Sequence, residues 1–454
     1  MPTTPILSKL ILFLTFSLVP LLSIPHTMAA RNILLALVFV AIPFCNLDWS
    51  IYKGRLNIFY IFSAYLVIHL IFFSTDFDSA FKNFRSEWLK FILFSVLGLT
   101  VPLLVSQLRL KRALLWFGIS FSIPLLIYLI FLGYEWVRLP DGFPWGFLGI
   151  YSAPGELVYT SLAATILLSV YLCFQAFKLW EYLFSIACIL LSVVPLAIIR
   201  SRGGVLFCIL TLFLVSLYAF LRNLKQFKSS KMIALISFTP IALIILITLY
   251  LSNSSDLGKW GKTFGNLRMG AAVMSMPFEV ACNGTEIVYK KFNSDESLDQ
   301  KTLNTIQSID DGDGARVLGA IVGARLAVEN PMGIDQSRQA YQIALASHCN
   351  ALPSSSLSHS HNGWINVALG IGIPGAIILF SLFVGLAVFG YRRLVVGGQY
   401  FPYASALTFS TCIWFMRALL DGTMQDQILE IQAFSMALLF GLTVSEKPVG
   451  SKPS

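Results

Sequence analysis

His361 is the residue in this chain best placed to do chemistry. It ends a polar run, Ser358-His359-Ser360-His361-Asn362, which gives way to an apolar stretch opening Gly363-Trp364-Ile365-Asn366-Val367 and running on to Gly372, Pro374 and Gly375. A helix begun at Gly363 and capped by Ser360 or Asn362 would turn its positive end towards the ring and favour neutral imidazole. A neutral ring nitrogen beside a hydroxyl can take its proton, an effect worth roughly 10²–10⁴ in rate. A histidine that only caps or hydrogen-bonds is the alternative at the same position. His359 and His348 lie near enough in sequence to raise a zinc site. Their spacings match no familiar zinc pattern, and no Cys or carboxylate completes one convincingly, so no metal is expected.

Arginines supply the second kind of chemistry. Arg200-Ser201-Arg202-Gly203-Gly204 reads as the turn into a helix, where the dipole disfavours cations by a few tenths of a kcal/mol. An anionic ligand would relieve that penalty. The guanidinium fork suits phosphate, and the Gly-Gly pair would expose backbone N–H groups to the same anion. Side chains reaching out to lipid headgroups are the other reading. Arg316 begins a further helix and is either a second anion-binding cation or a solvated face residue, whereas Arg325 and Arg338 read as structural. Arg417 with Asp421, and Tyr151 to Glu156, could line a polar cavity, although an interfacial ion pair explains Arg417 and Asp421 equally well.

The elements that must position these groups are membrane helices. Of 454 residues, 56% are hydrophobic and only 12% charged, with a mean hydropathy of +0.75. Apolar runs of about 17–22 residues recur, the length that crosses roughly 30 Å of hydrocarbon. About twelve spans are expected from this repetition. They fall near 9–25, 32–45, 56–73, 88–105, 112–133, 156–175, 181–199, 204–221, 232–251, 363–388, 399–418 and 425–444. The first could instead be a cleaved signal sequence ending near Met28-Ala29-Ala30, though no basic cluster near Met1 supports this.

With the N-terminus in the cytoplasm, the inner loops collect Lys53, Arg55, Arg109, Lys111, Arg112, Lys178, Arg222, Lys225, Lys228, Lys231, Arg392 and Arg393. The net charge of +9 is therefore a positive-inside signal and not a nucleic-acid footprint. This topology sets the 200–204 turn, Arg316 and the approach to His361 on one outer face.

Four regions follow: N-terminal spans over 1–251, a large outer loop over 252–361, C-terminal spans over 362–445 and a short cytoplasmic tail over 446–454. The loop is partly helical, with apolar spacing from Ala315 to Glu329 stopped by Asn330-Pro331. It also holds Cys282 and Cys349. A disulfide between them would contribute about 4 kcal/mol by loop closure, and the sequence leaves open whether they pair. Sequons at Asn253 and Asn283, and a calcium-like run at 310–314, are too short or incomplete to carry weight. The fold class is thus all-α and polytopic.

His361-Asn362 followed by Gly372-Ile373-Pro374-Gly375 resembles the His-Asn…Gly-x-x-Gly signature of bacterial O-antigen ligases. The Ser201-Arg202-Gly203 turn and the helix carrying Arg316 into Asn330-Pro331-Met332-Gly333 resemble that family as well. The resemblance covers the second half of the chain, and the first half agrees only in hydropathy. It implies a metal-independent glycosyltransferase of the bacterial inner membrane, without cofactors, acting at the periplasmic face among membrane lipids. The donor would be a polysaccharide on undecaprenyl diphosphate and the acceptor a sugar hydroxyl of lipid A-core. By position, His361, Arg202 and Arg316 correspond to the essential residues, with Arg200, Asn362 and Arg417 as substrate-binding candidates. An O-antigen polymerase, a protein O-oligosaccharyltransferase and, in a different class, a lipid-linked glycan flippase or transporter are the alternatives.

Overall fold

The computed structural model describes residues 5–105, 112–139, 143–151, 154–175, 178–226, 274–285, 313–350, 359–396, 401–422 and 426–445, with isolated positions 242, 267, 271, 309 and 424. Described residues form helices and no strand. The first half contains α1 (Pro5–Leu21), α2 (Met28–Ala41), α3 (Asn57–Phe72), α4 (Phe77–Asn83), α5 (Leu89–Val105), α6 (Ala113–Arg138), α7 (Pro154–Phe174) and α8 (Leu179–Ile198). After α9 (Arg202–Gln226) come three further helices, α10 (Pro277–Asn283), α11 (Asp313–Glu329) and α12 (Ala340–Cys349). The chain ends with α13 (Gly363–Val396), α14 (Phe401–Leu420) and α15 (Asp426–Ser445).

Eight of these helices are long and apolar enough to cross a bilayer, counting α4 and α5 as one through a π turn, and α1 to α3 are shorter apolar helices. The chain is therefore a multi-pass membrane protein. The expected span at 232–251 and the tail from 446 lie outside the described residues. α7 is the innermost helix, with 89% of its apolar window enclosed by protein. Among the described residues few charges are buried in the bundle, and several of these form ion pairs. Arg31 of α2 and Lys90 of α5 both meet the carboxylate of Glu430 in α15, at 3.2 and 3.1 Å. A charge left unpaired there would be strongly destabilising.

Helices α10, α11 and α12 have a core of their own. Leu318, Val322 and Leu326 of α11 pack with Val280 and Ala281 of α10 and with Tyr341, Ala344 and Leu345 of α12. Cys282 and Cys349 form a disulfide across α10 and α12, their Cα atoms 5.5 Å apart. His348 stacks on Phe278 at 3.7 Å and meets Glu329 at 3.1 Å, so it belongs to this packing. The buried face of α11 differs from the apolar spacing expected. Ala324 and Val328 are exposed, while Gly319 and Gly323 point inward. The two glycines let the chain at His359 and Ser360 lie directly on the helix; a Cβ at Gly319 would meet the His359 carbonyl at 3.2 Å.

One expectation is corrected in α13. Its residues do not form a single span starting at Gly363, because the helix breaks at Gly372, with φ 79° and ψ 163°. Trp364 then packs on Phe380 and Phe383, ring centroids 5.7 and 5.2 Å apart. In a straight helix, positions 364 and 380 would stand about 24 Å apart along the axis. The segment 363–371 therefore folds back beside 373–396, and only the latter, about 36 Å long, is the span. Continuous hydropathy conceals the reversal, because 363–371 is itself wedged between two apolar cores: Val367 and Ile371 join the bundle, and Leu369 joins the core of α10–α12.

Gly372 meets the 331–336 turn backbone to backbone. A Cβ there would stand 2.7 Å from the Met332 carbonyl carbon. With φ 79° and ψ 163° in a region essentially open to glycine alone, Gly372→Ala should therefore lose more than the about 1–3 kcal/mol of backbone strain. Gly54 has a similar φ of 73° with nothing within 4 Å, so Gly54→Ala isolates the backbone part. Thermal unfolding of both variants in detergent should show the larger loss at position 372. Equal losses would mean that the close approach contributes nothing.

Candidate active site

Four separate pieces of chain meet at one end of the bundle. The first is the strap 359–362, held in place by small polar bonds. Ser360 is fully buried, and its backbone N–H and hydroxyl both reach Asn366 Oδ1, at 3.2 and 2.7 Å. Asn362 is the cap of α13, its Oδ1 accepting from the Ile365 N–H at 3.1 Å. Its amide nitrogen donates to the Leu419 carbonyl at 3.1 Å, which ties the strap to the end of α14. Asn362 therefore reads first as the group that places the strap. The two imidazoles stand side by side, ring centroids 4.0 Å apart.

The second and third pieces are α14 and the α8–α9 turn. Arg417 Nη2 donates to Asp421 Oδ2 at 2.6 Å, and the Tyr159 hydroxyl from α7 donates to the same oxygen at 3.3 Å. Arg417 is only 6% exposed and lies over the rings of Tyr159 and Phe207. Its guanidinium also occupies the space where a side chain on Gly203 would be. This contact sets the turn carrying Arg202 against the Arg417–Asp421 pair. It also corrects the reading of the Gly-Gly pair as a free N–H cradle. Gly203 is small because Arg417 fills its side-chain space, and the Gly204 N–H already donates to Ser201 Oγ at 3.3 Å. Arg200, with a left-handed φ of 60°, is exposed and makes none of the described side-chain contacts with the group. Arg417, counted in sequence among the substrate-binding candidates, is mostly enclosed by its neighbours.

The fourth piece is the first turn of α11. The positive charge of Arg316 reaches both imidazoles. Together with burial and the neighbouring His359 it pushes the His361 pKa down to about 4, against a partial rise from Asp421; burial is the largest cause. The sequence assigned the same direction to the helix end, whereas desolvation dominates here. His359 is lowered too, again mainly by burial. His361 Nδ1 is enclosed with no hydrogen-bond partner among the described residues.

Asp421 is the residue that sequence reasoning undervalued. One donor atom each of His359, His361 and Asp421 lies within 4.8 Å of the others, a set that could hold a metal ion. No carboxylate near the histidines in sequence pointed to it, because the fold brings this one from the far end of α14. The only local signal was the i, i+4 spacing to Arg417 at a helix end. Tyr159 carried no signal at all.

Residues 186–380, somewhat under half of the chain, match the model of the O-antigen ligase family. The match begins within α8 and ends within α13, so it includes Arg202, Arg316 and His361 and stops short of Arg417 and Asp421. Comparison with curated proteins gave no match.

The depressed His361 pKa has a consequence with a definite sign. Between the ordinary value of 6.5 and about 4, the unfolded chain binds a proton that the folded site refuses. Stability should fall as pH drops through that window and stay level above it. His361→Gln should flatten much of the fall in a thermal-stability series, leaving a part from His359. An unchanged profile in the variant would show that the ring titrates normally.

Proposed function

We propose that this chain is an O-antigen ligase of the bacterial inner membrane. It moves a polysaccharide from undecaprenyl diphosphate to a sugar hydroxyl of lipid A-core at the periplasmic face. The O-antigen ligase family supports the reaction class. The observation that carries the reading is the meeting of His361, Arg316, Asp421 and the Arg202 turn at one end of the bundle, from segments far apart in sequence.

In this reading the acceptor hydroxyl attacks the anomeric carbon of the donor sugar. The new C–O bond forms as the bond to the phosphate oxygen breaks, and the electron pair leaves with undecaprenyl diphosphate. His361 takes the hydroxyl proton through Nε2, since Nδ1 is enclosed. A pKa of about 4 keeps the ring neutral and ready at physiological pH, though it makes the imidazole a weak base. Its task is therefore as much orientation as proton removal, and the departing diphosphate, its growing negative charge neutralised by Arg202 and Arg316, carries more of the driving force. Arg200, at the exposed edge of the turn, meets the donor's outer phosphate. Asp421 holds a protonated His361 after transfer, while Arg417 and Tyr159 fix the carboxylate.

The reaction proceeds without a metal. Asp421 is already engaged by Arg417 at 2.6 Å, and Arg316 adds positive charge beside both imidazoles, an environment that repels a divalent cation. Guanidinium groups do the neutralising instead. A transporter would place its ionisable groups and broken helices near the bilayer midplane, whereas these groups gather at one end.

His361→Ala, Arg202→Ala and Arg316→Ala should each lower transfer by roughly 10²-fold or more while the protein still accumulates in the membrane, and His359→Ala should be milder. Transfer with purified protein and lipid-linked donor should survive a strong chelator; loss on chelation, restored by a divalent ion, would assign the trio of donors to a metal. A deletion strain should carry bare lipopolysaccharide core with polymer accumulating on the lipid carrier. Core bearing a single repeat unit would identify a polymerase instead.

A further inference from the structure

We infer that Tyr65 and His69 of α3 form a positioning site for the reactive strap, acting through the Pro331–Gln336 turn and the Gly372 reversal; this rests on the reading of His361 given above. Both residues lie well upstream of the family-matched segment. The first half of the chain then supplies a working part of the site and not only a membrane scaffold.

The strap is carried on 363–371, and the direction of 363–371 is set at Gly372. Three backbone bonds lock that reversal to the turn after α11. Ile373 N–H donates to the Pro331 carbonyl at 2.8 Å, Ile334 N–H to Leu369 at 2.8 Å, and Gln336 N–H to Gly370 at 3.1 Å. Gly333 and Gly372 approach so closely that neither leaves room for a Cβ. The turn itself does not sit in a relaxed conformation. Asp335 and Gln336 both have left-handed backbones, φ 48° and 53°, without being glycine. Such residues persist only where their surroundings over-determine them.

The surroundings come from α3 and the chain that follows it. The Tyr65 hydroxyl donates to the Ile371 carbonyl at 2.7 Å, one residue before the break. His69 Nε2 lies 2.6 Å from the Met332 carbonyl, which can only accept, so Nε2 carries the proton. Nδ1 is then an acceptor, and the Gln336 amide nitrogen meets it at 3.3 Å while also donating to the Leu66 carbonyl at 2.9 Å. His69 thus donates to one limb of the turn and accepts from the other. Its side chain is fully buried, so water cannot substitute for either bond. Beyond the helix, Asp335 accepts from the Thr75 N–H and hydroxyl at 2.6 and 2.7 Å, and Asn83 donates to the Asp335 carbonyl at 3.2 Å. One limb of the assembly is gripped at Ile371 and the other at Met332, Asp335 and Gln336, and the strap hangs from the join.

A device of this kind acts on the rate of the chemical step, because a shift of about 1 Å in a reacting group can cost on the order of 10²-fold. The tests are Tyr65→Phe, which removes one hydroxyl and nothing else, and His69→Leu, with His69→Gln as the variant that can still donate to Met332. kcat and KM are measured with purified protein, the undecaprenyl diphosphate-linked polysaccharide and lipid A-core. Amide hydrogen exchange is followed across 330–337 and 369–375. Tyr65→Phe and His69→Leu should lower kcat by about 10- to 100-fold with KM for the donor unchanged, and should raise exchange in those two segments alone. His69→Gln should recover most of the rate. Faster local exchange with an unchanged kcat would overturn the inference, as would a general rise in exchange with kcat and KM altered together. In both cases an inactive His361→Ala leaves the proposed function standing. Should His361→Ala also keep its full rate, that reading fails as well.

Discussion

Everything at the upper end of this molecule depends on one close approach, where the backbone of Gly372 meets the backbone around Gly333. The chain must leave α10–α12, run through an apolar segment, and reverse into the long arm of α13 within the space of one residue. A left-handed glycine makes the reversal, and a second glycine on the facing turn makes room for it. Backbone bonds between 331–336 and 369–373 then satisfy the groups that the broken helix leaves open. The result is a helical hairpin of unequal arms whose short arm brings the histidine strap down beside the end of α14. Without it, Trp364 could not lie among Phe380, Phe383 and Phe415.

The electrostatics of the site follow from that descent. The strap ends in a partly enclosed place already occupied by guanidinium groups, and both imidazoles are driven towards the neutral state by burial and by Arg316. Asp421 opposes this drift and is itself held by Arg417 and Tyr159. The carboxylate thus sits between groups of opposite demand: a buried arginine needs its charge, while a histidine needs it only after taking a proton. That division suits a reaction in which positive charge appears on the ring for a moment and a diphosphate departs nearby.

Hydropathy made the multi-pass helical class legible, and eight of the described helices are long and apolar enough to cross a bilayer. His361, Arg202 and Arg316 stood out as candidates because polar groups beside apolar runs are conspicuous, and the positive-inside bias gave the expectation that they share one face. What could not be read was anything depending on backbone approach. Gly372 lies inside an unbroken apolar run, so periodicity carried it straight through as part of one span. Gly319 and Gly323 bring no apolar side chain to the stripe, yet they form part of its contact face. Asp421 was visible only as a local partner of Arg417, because its nearness to the histidines is set by the hairpin and not by spacing. His69 and Tyr65 looked like ordinary residues of a hydrophobic helix, and only the carbonyls they meet give them meaning.

The boundaries of the family match carry a physical lesson of their own. Residues 186–380 hold the imidazole and the two arginines assigned to chemistry, yet the groups that keep them in place come from both sides of that segment. Arg417 and Asp421 lie beyond it, and Gly203 within it is small because Arg417 fills its side-chain space. α3 lies before it and closes on the turn at Met332 and Gln336. A reactive side chain can be recognised by its type and its immediate neighbours. The residues that aim it need only present a hydroxyl, a ring nitrogen or an absence of side chain at the right point. Such requirements leave faint traces in composition, so the positioning parts of this site became visible only once the fold had placed them.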